Sequence, residues 1–315
     1  MKAFVFPGQG SQHVGMGKSL YDEFHEAREV YDKANEILGI DIKSISFQGP
    51  ENILTESKNA QVAILIHSIA AYTIMRKEGI MPFMVAGHSL GEYAALVAAE
   101  VFSFEDALPI VRLRGELMSK AGENNPGIMA AIIGLDPEDV AQIVEEIAVN
   151  QVISVANYNA PTQTVISGEL SAVAEASDLA TKKGAKRVIS LNVSGAFHSS
   201  LMDEAFDEFK KVLSEASFKE STIPVAPNVT GELTTSPTVI KDSLERQITS
   251  PVKWVASIKN MVKAGTTAFV EVGPGKVLTG LIRRIDSQSK VFNVQEPSDI
   301  ERLKEACAKS VETGF

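Results

Sequence analysis

A short apolar run, Pro82-Phe83-Met84-Val85-Ala86, leads directly into Gly87-His88-Ser89-Leu90-Gly91 and then into Glu92-Tyr93-Ala94-Ala95-Leu96-Val97-Ala98-Ala99. The first stretch reads as a buried strand, and the last, rich in alanine and leucine, as a helix. A G-x-S-x-G pentapeptide between strand and helix leaves the chain few options: the serine must stand on a sharp, exposed corner at the edge of a sheet. Glycine is needed on both sides because a Cβ there would meet the neighbouring strand or helix. The helix that follows turns its free N–H groups and positive dipole end toward the serine, where negative charge develops during acyl transfer. The plainer reading is a Gly/Ser turn between two elements, and the pentapeptide alone does not exclude it.

The rest of the chain supplies a matching sheet. Up to about Asn125, short apolar runs alternate with helical periodicity: Ala3–Phe6 and Phe83–Ala86 read as strands, and Leu20–Leu38, Ala60–Glu78 and Phe104–Ala121 as helices. That alternation predicts a mostly parallel sheet covered by helices. Gly122-Glu123-Asn124-Asn125-Pro126-Gly127 breaks it with loop residues. A second rhythm follows. Ile128–Ile133, Val152–Ala156, Thr164–Ser167 and Arg187–Leu191 read as strands, with Asn157–Pro161 as a connection and helices at Pro137–Ala148 and Leu170–Lys183. The order β-α-β-β-α-β is that of a ferredoxin-like unit. Helices at Leu201–Ala216, Ile240–Gln247 and Val252–Ala264 and a strand at Ala268–Val272 then resume the first pattern. The predicted organisation is an α/β domain of residues 1–127 and 193–315, interrupted by a small ferredoxin-like domain of residues 128–192.

Composition narrows the function. With 315 residues, 44% apolar and 22% charged, the chain can bury a substantial core. A formal net charge of −10 argues against a general nucleic-acid or anionic-membrane binder. Cys307 is the only cysteine, so no intrachain disulfide can form, and its late helical stretch, Ile300–Val311, makes it a small core residue. No metal-ligand cluster stands out. The opening apolar run, Ala3–Phe6, is too short for a secretory segment, and Ala60–Met75, interrupted by Gln61, His67 and Ser68, reads as a buried helix. Asn192-Val193-Ser194 and Asn228-Val229-Thr230 match the glycosylation pattern, which carries no meaning without secretion. A cytoplasmic enzyme is expected.

An activated serine needs a base. Of the five histidines, His25 lies in a charged helix and His67 in an apolar one. His88 adjoins Ser89 and points away from it at a sharp turn, so it braces the corner. His13, in the first Gly-rich loop, can approach the site, but nothing requires it to. His198, in Val193-Ser194-Gly195-Ala196-Phe197-His198-Ser199-Ser200, is the base left by elimination. The first loop, Pro7-Gly8-Gln9-Gly10-Ser11-Gln12, follows a strand and fails both phosphate fingerprints. Met16-Gly17 stands where a P-loop needs Lys-Ser/Thr, and His13 replaces the third dinucleotide-binding glycine. The backbone N–H of Gln9 can complete an oxyanion hole with that of Leu90, or the loop is simply a tight turn.

These motifs resemble the malonyl-CoA:acyl-carrier-protein transacylases. The resemblance is carried by Phe6-Pro7-Gly8-Gln9-Gly10-Ser11-Gln12, Gly87-His88-Ser89-Leu90-Gly91-Glu92-Tyr93 and Val111-Arg112-Leu113-Arg114-Gly115. It continues through Asn157-Tyr158-Asn159-Ala160-Pro161, Phe197-His198-Ser199, Pro251-Val252-Lys253-Trp254 and Glu271-Val272-Gly273-Pro274-Gly275-Lys276. The matches run in family order over nearly the whole chain. Val62 after Gln61, where proline is usual, and Glu100, where glycine is common, depart from the pattern away from the chemistry.

The resemblance implies an α/β-hydrolase-like large domain interrupted by a ferredoxin-like one. It makes Ser89 the acyl acceptor and His198 its base, puts the Gln9 and Leu90 N–H groups in the oxyanion hole, and sets Arg114 against the malonyl carboxylate. In the family no aspartate backs the histidine; the carbonyl at the position of Gln247 orients it. His88, Asn159 and Phe197 stand behind these groups, and phenylalanine before the histidine resembles the malonyl-selective form of the loop. The implied reaction is ping-pong transfer of malonyl from malonyl-CoA to the phosphopantetheine thiol of acyl carrier protein, in fatty-acid or polyketide synthesis, by a monomer with no metal or other cofactor. The strongly acidic carrier is expected on a basic patch, Lys182-Lys183-Gly184-Ala185-Lys186-Arg187 or Arg283-Arg284. Two other classes remain open: a serine hydrolase using Asp136, Asp139 or Asp178 as third member, and a non-catalytic scaffold that keeps the fold.

Overall fold

The structure, a computed structural model, describes residues 1–193 and 195–312. Ser194, which closes the first glycosylation-type pattern, and residues 313–315 of the large domain's expected range lie outside the described residues. Nine strands are present among the described residues: β1 (Lys2–Phe6), β2 (Met84–Gly87), β3 (Ile128–Ile133), β4 (Ile153–Ala160), β5 (Gln163–Gly168), β6 (Arg187–Ser190), β7 (Val225–Ala226), β8 (Ala268–Val272) and β9 (Lys290–Val294). Five form a wholly parallel sheet in the order β7-β2-β1-β8-β9, and four an antiparallel sheet in the order β4-β5-β3-β6.

In the parallel sheet, Ala3, Phe4, Val5 and Phe6 of β1 and Met84, Val85 and Ala86 of β2 are all buried. Continuous apolar strands of this kind suit a sheet covered by helices on both faces. Phe4 pairs with Val85 and Phe6 with Gly87, so β1 and β2 end level. The loops that follow them, carrying Gln9 and Ser89, therefore leave from the same carboxyl edge, where open α/β sheets bind their ligands. The helix Ser57–Lys77 runs through the interior, with Gln61, His67 and Ser68 buried among its apolar residues. No helix among the described residues is long and apolar enough to cross a membrane.

The antiparallel sheet arises from β3, the helix Pro137–Ala148, β4, β5, the helix Leu170–Lys182 and β6 in turn, which is the ferredoxin-like order read from the sequence. It has an apolar core of its own, built on Ile132, Val140, Ile143, Val155, Ile166 and Val173. Backbone bonds join it to the rest: Tyr158 N–H donates to Val252 O at 2.9 Å and Val252 N–H to Ala156 O at 2.8 Å.

Several boundaries differ from expectation. The helix foreseen over Leu20–Leu38 is two, Lys18–Glu23 and His25–Leu38, because Phe24 is extended (φ −112°, ψ 132°). The helix from Phe104 runs on to Asn124 through the glycine of the expected loop. Asn157–Ala160 is strand rather than connection, since one edge pairs with β5 and the other bridges to Val252. Cys307 is half-buried, with Lys2 Nζ 3.0 Å from its Sγ, and not a core residue.

Candidate active site

Ser89 stands where β2 turns into the helix Gly91–Ala98, with φ +49°. A Cβ on Gly87 would lie 1.9 Å from the Gly91 carbonyl carbon, and one on Gly91 would lie 2.0 Å from the Phe6 carbonyl oxygen. Only glycine lets the corner fold this tightly against β1. Three non-glycine residues among those described have positive φ: Ser89, Glu100 and His198. Two of the three face each other, as expected where backbone strain gathers at a functional site.

His198 Nε2 lies 2.9 Å from Ser89 Oγ. Its Nδ1 lies 2.9 Å from the Gln247 carbonyl and 3.0 Å from that of Ser250. Both neighbours only accept, so Nδ1 carries the hydrogen and Nε2 offers its lone pair to the serine hydroxyl. Burial, helped by the nearby Arg114 charge, pulls the His198 pKa down to about 3. The imidazole is thus neutral at neutral pH, the state a general base requires. The two carbonyls fill the place a third carboxylate would take. Asp136 and Asp139 lie at the start of the helix Pro137–Ala148 and Asp178 within Leu170–Lys182, two helices that pack on the antiparallel sheet. The three-member hydrolase arrangement is therefore not formed.

Arg114 is 1% exposed, although its helix also carries the surface pair Arg112–Glu116. Its guanidinium donates to Gln61 Oε1 at 2.7 Å, Gln247 Oε1 at 3.0 Å and Ser89 Oγ at 3.1 Å, while its Nε–H has no hydrogen-bond partner among the described residues. These acceptors are neutral, so the cation is buried against amide and hydroxyl oxygens, with the Tyr93 ring 5.7 Å away. The Gln247 side chain completes the network by donating to Ser89 O at 2.9 Å and Glu92 Oε2 at 2.6 Å. Glu92 is buried, and burial pushes its pKa up to about 7 against the hydrogen bonds from Gln247 and Asn228 and the Arg114 charge.

The serine opens onto a cavity of 270 Å³ between the two sheets. Gln9 and Leu90 line it from the loops after β1 and β2, Met129, Ala131 and Val165 from β3 and β5 of the antiparallel sheet, and Phe197 from beside the histidine. Neither the Gln9 nor the Leu90 N–H has a hydrogen-bond partner among the described residues. His88 Nε2 donates to Asn159 Oδ1 at 2.7 Å, and its ring centroid lies 5.5 Å from that of Trp254. This bracing ties the corner to β4 and to Trp254.

The chain is similar to known proteins over nearly its whole length. Residues 3–300 match the acyl transferase domain family. A malonyl CoA-acyl carrier protein transacylase of Bacillus subtilis (strain 168) is 44% identical over 300 residues, covering 95% of each chain. The chain belongs to the malonyl-CoA:acyl-carrier-protein transacylase family. Among solved structures, an acyl carrier protein S-malonyltransferase from Vibrio cholerae O1 biovar eltor has a TM-score of 0.93 at 40% identity, covering 96% of this chain and 99% of that one. A malonyl-transacylase in complex with a type II PKS acyl-carrier protein in its holo form has a TM-score of 0.92 at 38% identity, over 95% and 97% of the two chains.

In this member of the transacylase family, Ser89, His198, Arg114, Gln247, Gln9, Leu90, His88, Asn159 and Phe197 meet in or around one cavity. His13 and His25 are exposed and His67 is buried against Gln295 O, so none of them reaches it. Sequence reasoning missed Gln61, Glu92, Asn228 and the Ser250 carbonyl. Gln61 left a signal, a polar side chain inside an apolar run, and Glu92 directly follows the serine pentapeptide.

Proposed function

We propose that the chain transfers a malonyl group from malonyl-CoA to the phosphopantetheine thiol of acyl carrier protein through a malonyl ester on Ser89. The observation that carries this reading is the joint approach of His198 Nε2 and the Arg114 guanidinium to one serine oxygen. A base alone suits any acyl group; a buried cation whose hydrogen-bond acceptors among the described residues are neutral suits one that ends in a carboxylate.

In the first half-reaction the malonyl carboxylate pairs with Arg114 and brings the thioester carbon to Ser89. The Oγ–C bond forms as the hydroxyl proton passes to His198 Nε2, and the carbonyl oxygen, now an oxyanion, accepts from the Gln9 and Leu90 N–H groups. Collapse breaks the C–S bond, and the imidazolium returns its proton to the departing CoA sulfur. In the second half the carrier thiol gives its proton to His198, attacks the ester carbon, and Ser89 leaves with that proton. The Gln247 carbonyl holds the ring in the required tautomer throughout. Malonyl-CoA and the holo carrier supply every reacting group, so no further cofactor enters these steps. Phe197, beside the base, narrows the cavity against an α-methyl group.

We read residues 1–127 and 193–315 as the catalytic body and 128–192 as an inserted domain whose sheet forms one cavity wall. The protein acts as a cytoplasmic monomer. Intact-mass measurement after mixing with malonyl-CoA tests the proposal. One malonyl adduct is expected, lost on adding holo carrier protein and absent from Ser89→Ala, since nucleophile and base act as a unit. An adduct on Ser11 or Ser199 overturns it.

A further inference from the structure

We infer that Asn228 is a positioning residue that locks the nucleophile corner in its strained conformation; the inference rests on Ser89 being the acyl acceptor proposed above. Asn228 opens the Asn228-Val229-Thr230 pattern, yet it is 1% exposed, so no glycosylating enzyme reaches it. Its amide is spent elsewhere. Oδ1 accepts from Ser89 N–H at 2.7 Å, Nδ2 donates to Gly87 O at 2.6 Å, and its own backbone N–H donates to Glu92 Oε2 at 3.2 Å. One residue thus grips the end of the strand, the serine and the first turn of the helix.

Its placement follows from the short edge strand β7. Val225 and Ala226 pair with Val85 and Ala86, which brings the next residues level with the end of β2. Pro227 then turns the chain, and Lys253 N–H donates to Asn228 O at 2.8 Å, holding it from behind. An amide has one acceptor and two donors on a rigid plane, so it can meet a carbonyl and an N–H two residues apart with both bonds short. The clamp has a further chemical consequence. Because Ser89 N–H is committed to Oδ1, Leu90 N–H is the donor of this corner left for the cavity. Release of the clamp frees Ser89 to leave φ +49° and moves both its Oγ and the Leu90 donor.

Two variants test this, read as the rate of Ser89 malonylation by malonyl-CoA before any carrier is added. Asn228→Ala is expected to slow the step by about a hundredfold, the effect of displacing a reacting group by about 1 Å, with KM for malonyl-CoA changed far less than kcat. In Asn228→Asp the new carboxyl copies both amide bonds only when protonated, with O–H toward Gly87 O and C=O toward Ser89 N–H. Its rate relative to the unmodified protein is therefore expected to rise as pH falls, a dependence that a mere packing defect does not produce. A folded Asn228→Ala acylated at the unmodified rate overturns the inference, as does an Asn228→Asp ratio that stays flat with pH. Where Asn228→Ala does not fold, the Asn228→Asp ratio alone decides. If the unmodified protein takes no malonyl at Ser89, the parent reading falls; if it does and only the variants behave like it, the Asn228 assignment alone falls.

Discussion

At the scale of single residues, the site is a buried cation and a buried neutral base sharing one hydroxyl. Arg114→Ala should cut kcat/KM for malonyl-CoA much more than that for acetyl-CoA, because only the first loses a desolvated charge pair, at a cost of about 2–5 kcal/mol. Arg114→Lys should recover little of it, since a point charge cannot span two carboxylate oxygens. Equal losses for both substrates would remove Arg114 from the acyl site. The pH dependence separates two further groups. With its pKa pulled down to about 3, His198 stays neutral through the ordinary working range. Glu92, pushed up to about 7, protonates on acidification and takes its negative charge from beside Arg114 and Gln247. Removing that anion leaves the Arg114 cation freer to pair with the malonyl carboxylate, so we expect kcat/KM for malonyl-CoA to rise in a single-proton step as pH drops through about 7, and Glu92→Gln to lack that step. A fall on acidification through the same range would assign the titration to His198 and sink the burial argument. Ser89 was legible in the sequence because its spacing dictates a backbone shape. Arg114 was legible only through the family resemblance, since composition does not distinguish a buried arginine from Arg112 one turn-face away. Glu92 and Asn228 act through contacts between distant segments, which spacing along the chain does not encode.

Among the elements, those with strong periodicity or punctuation matched the reading closely. Pro137–Ala148 begins on its proline and Ala268–Val272 is a clean apolar run, and both fall on their expected bounds. What escaped were elements whose existence depends on neighbours. Strand β7 is two residues between Pro224 and Pro227, and it is a strand because Val85 and Ala86 lie beside it. Strand β9, Lys290–Val294, has one free edge and an exposed first residue, so it lacks the continuous apolar signature of β1. Asn157–Ala160 carries asparagines that favour turns, and the bridge to Val252 overrides that preference. One departure from the family pattern has a cost visible in the backbone. Glu100 follows the C-cap of the helix Gly91–Ala98 with φ +62°, a conformation that suits glycine. Its exposed pair with Arg76 offsets little of that strain. Glu100→Gly should therefore stabilise the protein by about 0.5–1 kcal/mol in urea unfolding, with malonyl transfer unchanged. A loss of stability would mean that the Arg76 pair outweighs the strain.

Over the whole molecule, a net charge of −10 must coexist with the acidic carrier protein that the family resemblance implies. Overall repulsion slows encounter, so productive docking needs a local basic surface beside the cavity. Two exposed clusters lie on elements that lead to it. Lys182, Lys183, Lys186 and Arg187 stand at the end of the helix Leu170–Lys182 and the start of β6, beyond which Leu191 and Val193 line the cavity. Arg283 and Arg284 close the helix Val277–Ile285, whose Val277, Leu278 and Leu281 form another wall. Lysine in a last turn also complements the helix dipole, and that plainer role predicts a change in stability with no change in carrier kinetics. The first cluster is the denser, and its strand joins the small domain's sheet directly to the cavity. Lys182→Glu with Lys186→Glu should raise KM for holo carrier protein and flatten the salt dependence of transfer, while Ser89 malonylation by malonyl-CoA keeps its rate. If carrier kinetics do not move, the cluster is a solvated helix end, and Arg283→Glu with Arg284→Glu should then produce the same pair of effects.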